Sequence, residues 1–175
     1  PTFPVYAVAD DRQRRQFVIA LDESLRFLPD PLHLTPAQRR YAERVARQRL
    51  HQPVFRGRVI RAYDRRCTVC LLKHPDLLDA AHIIGDTEEG GDPVVSLGLS
   101  LCKIHHAAYD RQLLGISPDY VVEINHELME EIDGPMLRHG LQEMNGRRLE
   151  LPGRRPDWPD RDRLAARFTA FREAS

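Results

Sequence analysis

Two short β-like runs, Phe3–Ala9 and Gln16–Asp22, flank the polar stretch Asp10–Arg15 and predict an N-terminal β-hairpin. Leu28–Leu34 carries Pro29 and Pro31 and reads as a linker. Thr35, Pro36 and Gln38 then supply an N-cap, an N1 proline and the third member of a capping box, which predicts a helix from Pro36 to about Gln52, ended by Pro53. A second helix, Val54–Asp64, follows from Phe55, Val59, Ile60 and Tyr63 at helical spacing with arginines on the other side. Leu77–Ile84 is a nearly unbroken apolar run and predicts a strand, Gly85–Gly91 an acidic loop, Val94–Leu101 a second extended segment, and Lys103 to about Gln112 a helix. Beyond it, Tyr120–Ile124 predicts a short strand and His126–Ile132 a short helix broken by Asp133, Gly134 and Pro135. Leu149–Leu151 reads as extended, and Asp160–Glu173 as an amphipathic helix with Leu164, Phe168 and Phe171 inward.

Composition changes this picture little: 175 residues, 42% hydrophobic and 30% charged, describe one soluble globular domain with a small appendage. No apolar run reaches the length of a membrane span and no signal peptide opens the chain, so a cytoplasmic setting is expected. Charge matters more. The net charge is zero, yet ten arginines lie between Pro36 and Arg66 against only Glu43 and Asp64. Arginine suits bidentate phosphate contact, so this basic field, and Arg56, Arg58, Arg61, Arg65 and Arg66 in particular, predicts binding to the DNA backbone.

The candidate chemistry is concentrated between Cys67 and Asp110, which hold all three cysteines and four of the eight histidines. Cys67 and Cys70 form a CxxC knuckle, and Cys102 and His105 form a CxxH knuckle about 30 residues on. Two such pairs close a tetrahedral Cys3His site for a structural Zn2+ ion. His106 and Asp110, four apart on the expected helix, share a face and can bind one further ion. His82 lies in the apolar strand run, where a histidine alone is ordinarily a satisfied core residue. Beside a two-ligand site for a hard metal it points to hydrolysis.

The runs LLDAAHII and LCKIHHAAYD resemble the HNH nucleases of the ββα-metal fold, and their restriction-type members in particular. The resemblance spans Phe55–Val122 and extends to Asp133–Gln142. It implies that His82 is the general base that activates water against a phosphodiester, that His106 is a ligand of a catalytic Mg2+ or Mn2+ ion, and, by analogy with colicin-type nucleases, that Asp110 is another. Two positions depart from the family pattern. Ala81 stands where many members have a metal-binding Asp or His, and Leu97 replaces the motif Asn nine residues before His106. The remaining coordination is then left to water and phosphate oxygens, as is usual for magnesium. Asp79 is a reserve ligand, disfavoured because strand alternation turns it to the face opposite His82.

Together these readings predict an α+β fold: a ββα-metal (HNH) core with a Cys3His zinc site, flanking helices and the hairpin. Residues 1–34 are expected to be a linker plus the remnant of a truncated N-terminal domain, since the sequence does not begin with Met, and residues 35–175 the nuclease domain with its core at 54–124. The expected function is metal-dependent DNA hydrolysis as the catalytic part of a restriction or defence enzyme, with a homodimer for double-strand cleavage. The alternatives are a zinc-stabilised DNA-binding module with a decayed site, or an RNA nuclease using the same chemistry.

Overall fold

The computed structural model describes residues 4–84 and 94–174, with only the backbone for residues 47–51. The expected acidic loop Gly85–Gly91 lies outside the described residues. No helix among the described residues is long and apolar enough to cross a membrane. The chain divides into two compact units, Pro1–Val54 and Phe55–Ser175.

The first unit holds the expected hairpin. Strands β1 (Tyr6–Asp11) and β2 (Gln16–Ala20) pair antiparallel from Tyr6 opposite Ala20 to Asp11 opposite Gln16, with a bulge between Ala7 and Ala9. A short 3-10 turn, Glu23–Phe27, follows and buries Leu25. Helix α1 (Pro36–Ala62) opens on the predicted capping box, in which the Thr35 amide donates to Gln38 Oε1 at 2.9 Å and the Gln38 amide to Thr35 Oγ1 at 3.3 Å.

One expectation is corrected here: Pro53 does not end the helix, and the two predicted helices are one element with Pro53 inside it. Proline forfeits one i→i−4 hydrogen bond. That loss is local, whereas Phe55, Val59, Ile60 and Tyr63 beyond it are all buried and hold the following turns by packing.

In the second unit, β3 (Leu78–His82) and β4 (Gly98–Cys102) pair antiparallel, from Leu78 opposite Cys102 to His82 opposite Gly98. Cys102 is also the N-cap of α2 (Lys103–Asp110), so strand passes directly into helix and α2 packs back on β3 and β4. This is the predicted ββα core. Gly98 is required by close approach: a Cβ there would lie 2.5 Å from Val59 Cγ2 and 2.7 Å from Phe55 Cζ. Val59, Leu78, Leu99 and Leu101 are wholly buried at this junction.

A second antiparallel pair, β5 (Leu114–Ile116) with β6 (Val122–Ile124), extends the core. Short helices α3 (His126–Glu130) and α4 (Pro135–Gly140) and the terminal α5 (Arg161–Ala174) follow. Helix α5 places Leu164 and Phe171 inward as expected, and the Phe171 ring covers Gly115 of β5, where a Cβ would meet it at 2.3 Å. Strand β5 and helix α4 were not anticipated from the sequence.

Candidate metal centre and active site

The first knuckle is a tight turn. The Cys67 amide donates to the Leu72 carbonyl and the Leu71 amide to the Cys67 carbonyl, both at 2.9 Å, with Leu71 at φ 65° closing the turn. Thr68, fully buried, pairs its main chain with Ser100 and Glu150, and its hydroxyl donates to the Glu150 carbonyl at 2.7 Å. The second knuckle spans the end of β4 and the first turn of α2. The turn thus faces the strand end, and the ligand atoms of Cys67, Cys70, Cys102 and His105 all lie within 4.8 Å of one another.

These distances fit a tetrahedral metal. Bond lengths of about 2.3 Å to sulfur and about 2.0–2.1 Å to nitrogen imply ligand–ligand edges of roughly 3.5–3.8 Å. Cys70 and Cys102 sulfurs are 3.9 Å apart, and His105 Nδ1 lies 3.4 Å from Cys67 Sγ and 3.1 Å from Cys102 Sγ. His105 Nε2 meets the Gly140 carbonyl at 2.8 Å, which leaves Nδ1 as the nitrogen facing the sulfurs. The group also calls for a cation electrostatically. Burial alone would lower the pKa of His105, but the neighbouring Cys102 and Cys70 sulfurs outweigh it and lift the pKa to about 10. Hydrogen bonding to Cys102 and Cys70 pushes the Cys67 thiol up, while donation from Cys67 and Cys70 pulls Cys102 well down.

The adjacent residue points elsewhere. Successive helical residues are about 100° apart, so His105 is buried at 1% exposure while the His106 side chain keeps 23%. His106 Nε2 lies 3.3 Å from Asp110 Oδ2, the predicted i,i+4 pair. On the other edge of the ring, Nδ1 lies 3.7 Å from Asp79 Oδ2. Asp79 Oδ2 also accepts from Lys103 Nζ at 2.7 Å, and Asp79 Oδ1 accepts from Arg56 Nε at 3.2 Å and from the Ala80 amide at 3.0 Å. Bonding to His106, followed by that to Lys103, holds the Asp79 carboxyl well below the usual carboxylate range against the opposing effect of partial burial. His82 ends β3, half-buried, its ring stacked on Phe55 at 4.1 Å between centroids and 17° between planes.

The model of the family described as HNH endonuclease matches residues 67–117. Over that segment the chain is similar to the HNH family. The segment contains both knuckles, His82, His106 and Asp110. Among solved structures, the chain is similar to a "Modification dependent TagI restriction endonuclease", with 23% identity, a TM-score of 0.47, and coverage of 65% of this chain and 35% of that one. The chain thus spans about a third of that protein's length. No curated protein matches.

At the two positions that depart from the HNH pattern, Ala81 is fully buried and Leu97 is 8% exposed. The Ile83 amide, next to His82, donates to the Leu97 carbonyl at 2.9 Å. The strand end that carries His82 is therefore tied by main chain, whatever the side chain at 97. Leu97→Asn is accordingly expected to change cleavage only modestly while costing about 1–3 kcal/mol of stability for a buried amide. Matched cleavage rates and melting curves check it, and an inert parent rescued by Leu97→Asn would contradict it.

The arginines divide. Arg56 is used internally, since besides Asp79 it donates to the carbonyls of Pro75 and Leu78 at 3.3 and 2.7 Å. Arg66 has a buried Nε without a hydrogen-bond partner. Arg58, Arg61 and Arg65 are exposed, and Arg61 and Arg65 line a cleft of about 230 Å3 with Ile60 and Pro75. Two residues beside the candidate site escaped the sequence reading. They are Lys103, and Arg167 of α5, which lies 3.7 Å from Asp110 Oδ1 and donates to the Tyr109 carbonyl at 3.0 Å. Asp79, read from the sequence only as a reserve ligand, lies beside His106 at 3.7 Å.

Proposed function

We propose that this HNH domain is a metal-dependent DNA endonuclease, the catalytic part of a restriction or defence enzyme. The observation that carries the reading is the division of labour at the start of α2, where His105 turns inward to three cysteines and His106 turns outward to Asp110. Zn2+ is the ion that best suits the Cys3His group, as a structural centre with every position filled by protein. His106 and Asp110 would hold Mg2+ or Mn2+. That ion would supply charge stabilisation for the crowded phosphate and the leaving 3′ oxygen.

His82 takes the proton of the attacking water, its ring held in place by the Phe55 stack. Arg58, Arg61 and Arg65 neutralise backbone phosphates and so supply affinity and placement, without choosing a sequence. Arg56 acts differently, because its Nε and Nη2 donate to β3 and the strand's approach.

Supercoiled plasmid incubated with Mg2+ or Mn2+ tests the reading. The parent is expected to nick or linearise it, and His82→Ala to slow the reaction by about 10²–10⁴-fold, the usual range for a general base. A parent that leaves plasmid intact with both metals would identify the chain as a zinc-stabilised binding module instead.

A further inference from the structure

The His106 ring lies between two carboxylates. Its Nε2 faces Asp110 Oδ2 at 3.3 Å and its Nδ1 faces Asp79 Oδ2 at 3.7 Å. An ion bound to one nitrogen can be shared with only one of these groups, because the two ring nitrogens direct their lone pairs apart. The structure distinguishes the two carboxylates. Asp79 is 28% exposed and already faces two cations, Lys103 and Arg56, one at each of its oxygens. A dication placed there would meet both. Asp110 is 55% exposed, and besides His106 the described cation near it is Arg167 at 3.7 Å.

A neutral imidazole carries one N–H, and the group that accepts it decides which nitrogen keeps a free lone pair. Building on the nuclease reading above, we propose that Asp79 is a positioning residue: it accepts Nδ1–H of His106, so that Nε2 is the metal-binding nitrogen, paired with Asp110. Lys103 and Arg56 hold Asp79 for this task from two separate elements, α2 and α1. Asp79 thus acts through His106 and touches neither metal nor DNA. It also explains how β3 contributes to the metal site when Ala81 offers no ligand atom: its carboxylate is two positions earlier and reaches the ligand's far side.

The test uses the full 175-residue chain with its Cys3His ion in place and 15N label in the histidines. Long-range 1H–15N correlation, assigned by comparison with His106→Ala, reads the His106 tautomer without added Mg2+ or Mn2+. Titration followed by the signal of free Mn2+ reads affinity. The expected parent is the Nδ1–H tautomer, kept in Asp110→Ala and lost in Asp79→Asn. Asp79→Asn should bind Mn2+ about 10–100-fold more weakly, with a lowered but still cooperative melting transition because its pairs with Lys103 and Arg56 are weakened, and Asp79→Glu should recover part of the loss of Mn2+ affinity. An Nε2–H tautomer in the parent, or Asp79→Asn binding Mn2+ like the parent, overturns the proposal. If Asp79→Asn does not fold, the parent tautomer still decides. Neither readout depends on cleavage. A parent with the Nδ1–H tautomer and Asp79-dependent Mn2+ binding that cuts no DNA upholds the role of Asp79 and sinks the nuclease reading. A parent that cuts DNA with an Nε2–H tautomer does the reverse.

Discussion

Cys67→Ser and Cys102→Ser are expected to lose a tightly held zinc ion and, with it, the cooperative melting transition of the Phe55–Ser175 unit. The sheets among the described residues are all two-stranded, and a two-stranded hairpin is marginal by itself. The knuckles join one end of α1, the junction of β4 with α2, and the stretch around Glu150. Apparent zinc-binding energies of about 10–16 kcal/mol in small zinc-folded peptides match or exceed the whole net stability of a domain, about 5–15 kcal/mol. Losing one thiolate ligand therefore removes more than the remaining packing can replace. Metal analysis and calorimetry of the purified variants measure this directly. One zinc per chain retained in Cys67→Ser, or a parent without zinc, would refute the site.

His106→Ala and Asp110→Ala should have the opposite profile, with Mg2+- or Mn2+-dependent cleavage lost and the melting temperature almost unchanged. The Asp110 side chain is 55% exposed and that of His106 23%, so truncating either opens a notch at the surface rather than an enclosed cavity. A metal ion supplies several kcal/mol to a phosphoryl-transfer barrier, and a loss of about 4 kcal/mol is about 10³-fold in rate. His105→Ala, one residue away, should lose stability first, because its ring is buried and bonded to Gly140 and two cysteines. Plasmid cleavage and thermal melts on the three variants side by side are the measurement. Equal behaviour of His105→Ala and His106→Ala would erase the division between structural and catalytic ligands.

The grouping of Cys67, Cys70, Cys102 and His105 was legible in the sequence because CxxC and CxxH encode one turn each, and a turn's geometry is local. The separate directions of His105 and His106 follow from helical rotation alone. Asp79 was not legible to the same degree. Strand alternation argued against it, and its partners Arg56, Lys103 and His106 are 23 or more residues distant in sequence. The continuation of α1 through Pro53 was missed for a related reason: a breaker acts on its own turn, while the burial of Phe55, Val59 and Tyr63 is decided by β3 and β4. Strand β5 is only three residues long and is completed by β6 and the Phe171 ring, neither of which its own pattern announces.

The bond from His105 Nε2 to the Gly140 carbonyl sets a limit on how small a transplantable version of this domain can be made. The match to the HNH family model ends at 117, and an engineer fusing this module to a new DNA-reading domain would naturally cut there. Such a cut strips the acceptor that orients His105, the Glu150 main chain that grips Thr68, and the aromatic lid over Gly115. A portable cassette therefore has to keep the stretch from Phe55 through α5.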